Sequence, residues 1–275
     1  MNTAPRACSR LSTHLAWGTV SLREVYHKTK DRIKELKTEE SKKAGEWTRS
    51  LKMFLSRLYW HDHFIQKLED EPEIEFKPMN KAFSEERIPY KKDKGKIKKW
   101  LKGKTGYPLV DACMKCFKKT GFLNFRMRAM IVSFACHVLH ISWKEIKYPM
   151  ARLMADYIPG IHIPQLQMQA GITGINSIRC YNPTKQTKEN DPKCSFIKKW
   201  IPKMKNYTPS EIINHPEEGL FEIENYPNPI VNYREKRNEM LSALYKIKNS
   251  SAAKKETEKV YKKHGSRRRK NQKSN

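Results

Sequence analysis

The sequence predicts an all-α protein, and three observations carry that reading. Apolar residues recur at three- and four-residue steps, no segment shows the strict alternation of a half-buried strand, and helix punctuation falls where the periodicity begins and ends. No internal repeat and no βαβ pattern is present.

Taken in order, Cys8-Ser9-Arg10-Leu11-Ser12 is a polar run ahead of a helix-like segment from Thr13 to Tyr26. Trp47, Leu51, Phe54, Leu55, Leu58, Ile65 and Leu68 lie on one helical stripe and predict a long amphipathic helix. Glu71 to Tyr90 is acidic, then mixed, with three prolines, and reads as a surface connection. Lys91 to Lys104 is a basic run interrupted by Trp100. Pro108 opens a helix that Gly121 ends, because proline suits the first helical position and glycine the left-handed stop. Asn124 caps the next helix, which carries Met127, Ile131, Phe134 and Val138. Tyr157 to Asn176 is rich in glycine, proline and glutamine and reads as an irregular loop, the kind of place where binding function concentrates. Thr208-Pro209 starts a further helix, and Tyr233 to Lys248 forms the last. From Asn249 the composition is basic and low in complexity, as in a disordered tail. The expected organisation is one domain over 1–248 followed by a tail over 249–275.

The 275 residues can bury one sizeable core, and 38% hydrophobic with 31% charged residues fits a soluble globular protein. No apolar run reaches the ~18–20 residues of a membrane span, and the N-terminus lacks the halves of a secretory signal. The expectation is a cytoplasmic or nuclear protein with no membrane partner. Lys and Arg number 56 against 29 Asp and Glu, giving +27, and Ser251 to Asn275 alone holds ten basic and two acidic residues. Such a surplus is the footprint of a polyanion partner, although a lysine-rich genome bias would also produce it. The six cysteines argue against a disulfide framework in this setting. Cys113 and Cys116 have zinc-like spacing but no second matched pair, and read as small buried hydrophobes. His61 and His63, two apart on a helix, point to different sides and do not make a metal site.

Several blocks stand in a telling order. They are Ser9-Arg-Leu-Ser-Thr-His-Leu-Ala-Trp-Gly, Arg57-Leu-Tyr-Trp-His61, Gly103-Lys-Thr-Gly-Tyr-Pro-Leu-Val-Asp-Ala, Gly121-Phe-Leu-Asn-Phe-Arg-Met-Arg128, Asp156, Gln167-Met-Gln-Ala-Gly171, Tyr181-Asn-Pro-Thr-Lys-Gln186 and Tyr226-Pro-Asn-Pro-Ile-Val231. In that order and spacing the chain, from about Cys8 to Lys246, resembles the multi-helical FAD-binding domain of the photolyase/cryptochrome family. Only Met1 to Ala7 precede the first block, so the α/β antenna domain usual in that family is expected to be missing, by truncation or because this is a stand-alone flavin domain.

The resemblance implies FAD as cofactor, with Cys8, Ser9, Arg10, Leu11 and Ser12 on the diphosphate, Phe54, Gln167 and Met168 along the flavin, and Arg128 with Asp156 as the charged pair beside the ring. It implies DNA, ultraviolet-damaged, as partner of a monomer. Trp60 corresponds to the catalytic tryptophan that stacks on the damaged base, and Arg57, His61, Phe125 and Arg126 belong to the DNA-facing set. Trp143 and Trp100 match the middle and outer members of the family's electron-transfer chain, which ends at the surface. The chain departs from the pattern at several points. Cys8 replaces a threonine, Arg57 a glutamate, His61 an arginine and Phe125 an asparagine. Ile158 replaces an acidic residue, His162 an asparagine, and Leu166 the inner tryptophan. Three functions stay open on these residues: a lyase repairing pyrimidine dimers with light, a cryptochrome-like photosensor, and a DNA-binding fragment that holds no flavin.

Overall fold

The computed structural model describes residues 8–39, 43–216 and 223–266, and among these there is no strand. Among the described residues thirteen α-helices follow one another: α1 (Ser12–Ala16), α2 (Leu22–Thr38), α3 (Ala44–Asp70), α4 (Lys94–Leu101), α5 (Pro108–Thr120), α6 (Phe125–His137), α7 (Trp143–Ala151), α8 (Pro159–Gln169), α9 (Pro183–Asn190), α10 (Ser195–Trp200), α11 (Pro209–Asn214), α12 (Tyr233–Lys248) and α13 (Ser251–His264). The all-α expectation holds. None of these helices is long and apolar enough to cross a membrane.

The core centres on α5 and α6, where Leu109, Val110, Phe117, Ile131 and Phe134 are buried together with Trp100 and Trp143. Local chemistry fixes both ends of α5. Pro108 occupies its first turn and Gly121 closes it at φ +67°. A side chain at Gly121 would also meet the Ala155 Cβ at 2.8 Å, so glycine is required by backbone and by space alike. The Asn124 side chain accepts the Met127 N–H at 3.0 Å and starts α6 as expected. Asp111 accepts from the Thr105 and Gly106 amides, from the Thr105 hydroxyl and from the buried Tyr226 hydroxyl. That carboxylate joins the Gly103–Tyr107 turn to the Tyr226 segment, across a long stretch of chain.

α3 packs against α8, and the two backbones touch at Gly160, where any Cβ would stand 2.7 Å from the Ile65 Cα. The long helix is present, but its buried residues are Ala44, Leu58, Phe64 and Lys67, and Trp47 is 58% exposed. The stripe read from the sequence is therefore rotated away from the packed face at its N-terminal end.

Four other sequence expectations are corrected. Thr13 to Tyr26 is two helices, split at Gly18 (φ +67°) with Ser21 capping the second. Glu71 to Tyr90 is more than a surface connection, since Ile74, Met79, Phe83 and Ile88 are all buried. Tyr157 to Asn176 contains α8, because Pro159 takes the first helical position and Pro164 is tolerated inside. The tail from Asn249 is helical over Ser251–His264. The Ser250 hydroxyl caps it, and Ala253, Val260 and His264 are buried against the domain. Asn80 Nδ2 donates to the Ala253 carbonyl at 3.1 Å and to Thr257 Oγ1 at 3.0 Å, and His264 Nε2 lies 2.7 Å from Glu71 Oε2. Composition hid a helix whose inward residues recur at helical steps while lysines cover the outer face. The expected disorder of residues 267–275 lies outside the described residues.

Candidate functional site

A cavity of about 510 Å³ opens between α3, α6 and α8, with the loop before α1 across one side. That volume is in the range of small-molecule and cofactor sites. α3 presents Phe54, Arg57, Leu58 and His61 to it, a spacing that keeps all four on one helical face. α8 presents His162, Gln165, Leu166 and Gln169 in the same way. Cys8, Ser9, Arg10, Leu11 and Ser12 close the loop side, Phe125 and Arg128 come from the start of α6, and Asp156 and Ile158 from the segment before α8. Met150, Met154, Val132 and Ala129 make the floor apolar.

Arg128 is the most constrained charge there. Its Nη2 donates to both Asp156 oxygens at 2.9 and 2.8 Å, its Nε donates to the Leu123 carbonyl at 2.7 Å, and the guanidinium lies 5.5 Å from the Phe117 ring centroid. The Asp156 side chain is 5% exposed and Arg128 20%. A buried carboxylate of this kind needs its partner. Arg10 holds a left-handed backbone at φ 60° with its guanidinium 4.2 Å above the Phe122 ring, so the loop carries a fixed cation into the cavity wall.

Two lining residues hold buried polar atoms that no group of the protein satisfies: Ser12 Oγ, and both ring nitrogens of His61. The nearest charge to His61 is Asp62 Oδ1, 3.6 Å from Nδ1. Such atoms are uncommon in native interiors and suit a ligand that supplies the missing partners. By size, by this polar set and by the charged pair, the cavity fits a large ligand with phosphate and heteroaromatic parts.

His162 Nε2 lies 2.9 Å from the Lys147 carbonyl, and its ring meets Tyr157 edge-on at 5.6 Å. Burial pushes its protonation down to about 4, so near neutral pH it donates from Nε2 and keeps Nδ1 as an acceptor. His137, against the Ala170 carbonyl at 3.1 Å, is likewise pushed down to about 4 by burial. An unfolded histidine titrates near 6.5, so the folded protein refuses protons that the unfolded chain takes up. Stability from these two residues is therefore complete above about pH 6.5 and is lost as pH falls toward about 4. At 1.36 kcal/mol per pH unit this amounts to roughly 3 kcal/mol for each histidine. Urea unfolding at about pH 7 and about pH 4.5 should show the loss, and His162→Asn should remove about half of it. Equal slopes in the two proteins would show that His162 is not held neutral.

The cavity brings together Cys8, Ser9, Arg10, Leu11, Ser12, Phe54, Arg57, His61, Phe125, Arg128 and Asp156 from the sequence-derived set. It leaves out Gln167, Met168, Trp60, Arg126, Trp100 and Trp143. Gln167 turns the opposite way: its Oε1 accepts the Met79 N–H at 2.7 Å, and its Nε2 donates to the Ile74 and Lys77 carbonyls at 2.7 and 2.9 Å. It holds the Glu71–Tyr90 segment onto α8, and both of its N–H donors are taken. Trp60 is 40% exposed and rests against His63 and Phe64, one helical step off the cavity face of α3. Trp100, expected at the surface end of an electron path, is fully buried. Gln165, Gln169, Leu58 and Met150 were missed, although the spacing of His162, Gln165 and Gln169 marks one helical face once Pro159 is taken as a helix start.

The family of the FAD-binding domain of DNA photolyase matches residues 54–246, which spans α3 to α12. The chain belongs to this family. FAD is the family's cofactor, and the fold expected from the sequence blocks is the fold found. Among curated relatives, the deoxyribodipyrimidine photo-lyase of Vibrio cholerae is 31% identical over 250 residues, covering 88% of this chain and 50% of the relative. Cryptochrome DASH of Synechocystis is 29% identical over 240 residues, 82% of this chain and 46% of that protein. Among solved structures, the archaeal photolyase of Sulfolobus tokodaii, determined with two FAD molecules, superposes with a TM-score of 0.73 at 30% identity, covering 86% of this chain and 50% of that one. The class III photolyase of Agrobacterium tumefaciens gives 0.77 at 26% identity, with 89% and 50% covered. The chain thus spans about half the length of the relatives it matches.

Proposed function

We propose that this chain carries the flavin in a photolyase-type reaction that repairs ultraviolet-damaged DNA with light. The observation that carries the reading is the cavity itself, on which the Cys8–Ser12 loop, Phe54, Arg128 and Asp156 converge from distant parts of the sequence. FAD held there, once reduced, would supply light-driven electron transfer to a pyrimidine dimer.

The chain's own residues do the holding. Ser9, Ser12 and Arg10 take the diphosphate, using the unpaired Ser12 hydroxyl and the fixed guanidinium. Arg128, oriented by Asp156, meets the polar edge of the ring, and His162 lines the same cavity. Leu58, Val132, Met150, Met154 and Ile158 exclude water from the ring. Arg57 and the 57% exposed Phe125 stand at the rim toward DNA, with Arg126 outside them, while His61, its ring nitrogens buried, belongs to the cavity wall. An extruded base needs an aromatic face, and Trp60 serves only after a side-chain rotation toward the rim.

A light sensor of the cryptochrome type without repair activity is the second reading, and the outward placement of Trp60 favours it. The two separate in one experiment. FAD-loaded, reduced protein and ultraviolet-irradiated oligothymidylate are illuminated with blue light, and intact thymine is counted. The proposal expects repair in light and none in darkness. It also expects DNA affinity to fall by about a thousandfold between about 50 and about 200 mM salt, as the +27 surface releases counterions. Bound flavin with undamaged yield unchanged by light would leave the sensor reading. A colourless protein that added FAD cannot reconstitute would remove both.

A further inference from the structure

The long helix α3 carries a second row of side chains beside the one that faces the cavity. Trp60, His63, Phe64, Lys67 and Glu71 recur at three- and four-residue steps and so share a face. None of the five lines the cavity. The Trp60 ring lies 5.4 Å from His63 and 5.9 Å from Phe64, and Lys67 Nζ stands 5.2 Å from the Phe64 centroid. Lys67 is the anomaly of this row. It is 7% exposed, yet among the described residues its ammonium has neither an ion pair nor a hydrogen bond. The carboxylate one turn on is already engaged, since Glu71 Oε2 lies 2.7 Å from His264 Nε2 and 3.2 Å from Lys263 Nζ of α13. Burial pushes the Lys67 ammonium down to about 8, and burial followed by the Lys67 and His264 charges holds His63 below the usual histidine range. His264 Nδ1 is also buried without a partner. Lys67, His63, His264 and Lys263 thus gather around one carboxylate that two of them hold. A covered cation without a counter-charge costs stability, and this place is short of an anion.

We propose that this row is a site for single-stranded DNA, separate from the cavity, in which an unpaired base stacks on Trp60 and the phosphate of a nearby nucleotide reaches Lys67. The site rests on the DNA partner of the preceding reading, and on neither flavin nor light. Trp60 is 40% exposed, so its ring offers a face to solvent as it stands. From Trp60 to Lys67 the helix rises about 10 Å at about 1.5 Å per residue, which matches about three stacked nucleotides at about 3.4 Å each. An aromatic platform with cations beside it holds a single strand without reading its sequence, because every base has a flat face and every nucleotide a phosphate. The phosphate brings the counter-charge that Lys67 lacks, and His63, between the two, can donate to the same strand. The outward turn of Trp60, which keeps its ring off the cavity, is the placement that such a site requires.

The test follows the anisotropy of a fluorescent oligothymidylate with the whole chain as purified, in darkness and over a range of salt. Lys67→Met should weaken binding about tenfold and lower the salt slope by about 0.7, the share of one phosphate contact on a single strand. It should also raise the thermal midpoint of the free protein by about 2–4 °C, since methionine fills similar space without a stranded charge. Lys67→Arg should keep the affinity. Trp60→Ala should cost about tenfold or more. Combining it with Lys67→Met should cost less than the product of the two, because both groups hold one strand. Affinity and salt slope unchanged in Lys67→Met would overturn the assignment. So would a weaker Lys67→Met with a lower midpoint, which reports packing damage. Inorganic phosphate probes the same place for a free anion: if phosphate alone, at fixed ionic strength, removes the difference between wild type and Lys67→Met, the place holds a small anion and the strand site falls. Absent repair with these shifts intact would end the lyase reading and leave the site standing, whereas repair with no shift would end the site alone.

Discussion

Arg128→Ala should leave the protein without FAD. In the wild type the guanidinium serves three masters at once: the Asp156 carboxylate, the Leu123 carbonyl, and in the proposed complex the polar edge of the flavin. Truncation strands Asp156 at 5% exposure with no cation. Breaking a buried pair from one side costs about 3–5 kcal/mol, and the lower end applies because Arg128 retains 20% exposure. The loss of a charge-assisted contact, together with a cavity wall that must reorganise, should weaken FAD binding at least about a hundredfold. Purified Arg128→Ala should therefore be colourless, and fluorescence titration with added FAD should give the fold-change. Arg128→Lys restores the charge without the two-oxygen fork and the Leu123 bond, so it should recover stability better than affinity. Asp156→Asn keeps the shape and provides a second route to the same wall if the alanine variant folds poorly. A yellow Arg128→Ala protein with wild-type flavin content would sink the assignment of this pair.

The helices, their capping residues and the identity of the cavity wall were legible in the sequence wherever a residue type has one physical use. Pro108 and Gly121 bracket α5 and Asn124 caps α6, because each of these choices is dictated locally, whereas the family resemblance is what paired Arg128 with Asp156 across 28 positions. Helix phase was not legible. Gln167 sits in the right helix but a step of about 100° per residue carries it off the face shared by His162, Leu166 and Gln169, and the backbone of Glu71–Tyr90 claims its amide instead. Trp60 misses the cavity by the same rotation on α3. The helix at Ser251–His264 was hidden because its eleven other residues, mostly lysine and polar, outnumber the three inward ones that place it, and composition weighs them alike. Trp100 shows the converse: a spacing can match a pattern while packing places the ring too deep for the surface role.

Leu166→Trp should speed light-driven flavin reduction severalfold in the presence of an external reductant. Leu166 is 1% exposed and lines the cavity from α8. In the proposed complex it stands between the flavin and Trp143, and an alkyl side chain has no accessible electron to give. The resemblance puts a tryptophan at this place, so the wild-type chain lacks the first stepping ring. The larger ring can grow into the cavity or press on the core, and overpacking costs about 1–3 kcal/mol. Leu166→Phe separates bulk from chemistry, since phenylalanine adds a ring that is hard to oxidise. The expected order is fast reduction in Leu166→Trp and slow reduction in both wild type and Leu166→Phe, with thermal unfolding reporting the packing cost independently. Adding Trp143→Phe to Leu166→Trp should cancel the gain, because the new ring then has no oxidisable partner behind it. A wild type that already photoreduces fast, and is indifferent to Trp143→Phe, would mean that electrons reach the cavity by another route and that Leu166 interrupts nothing.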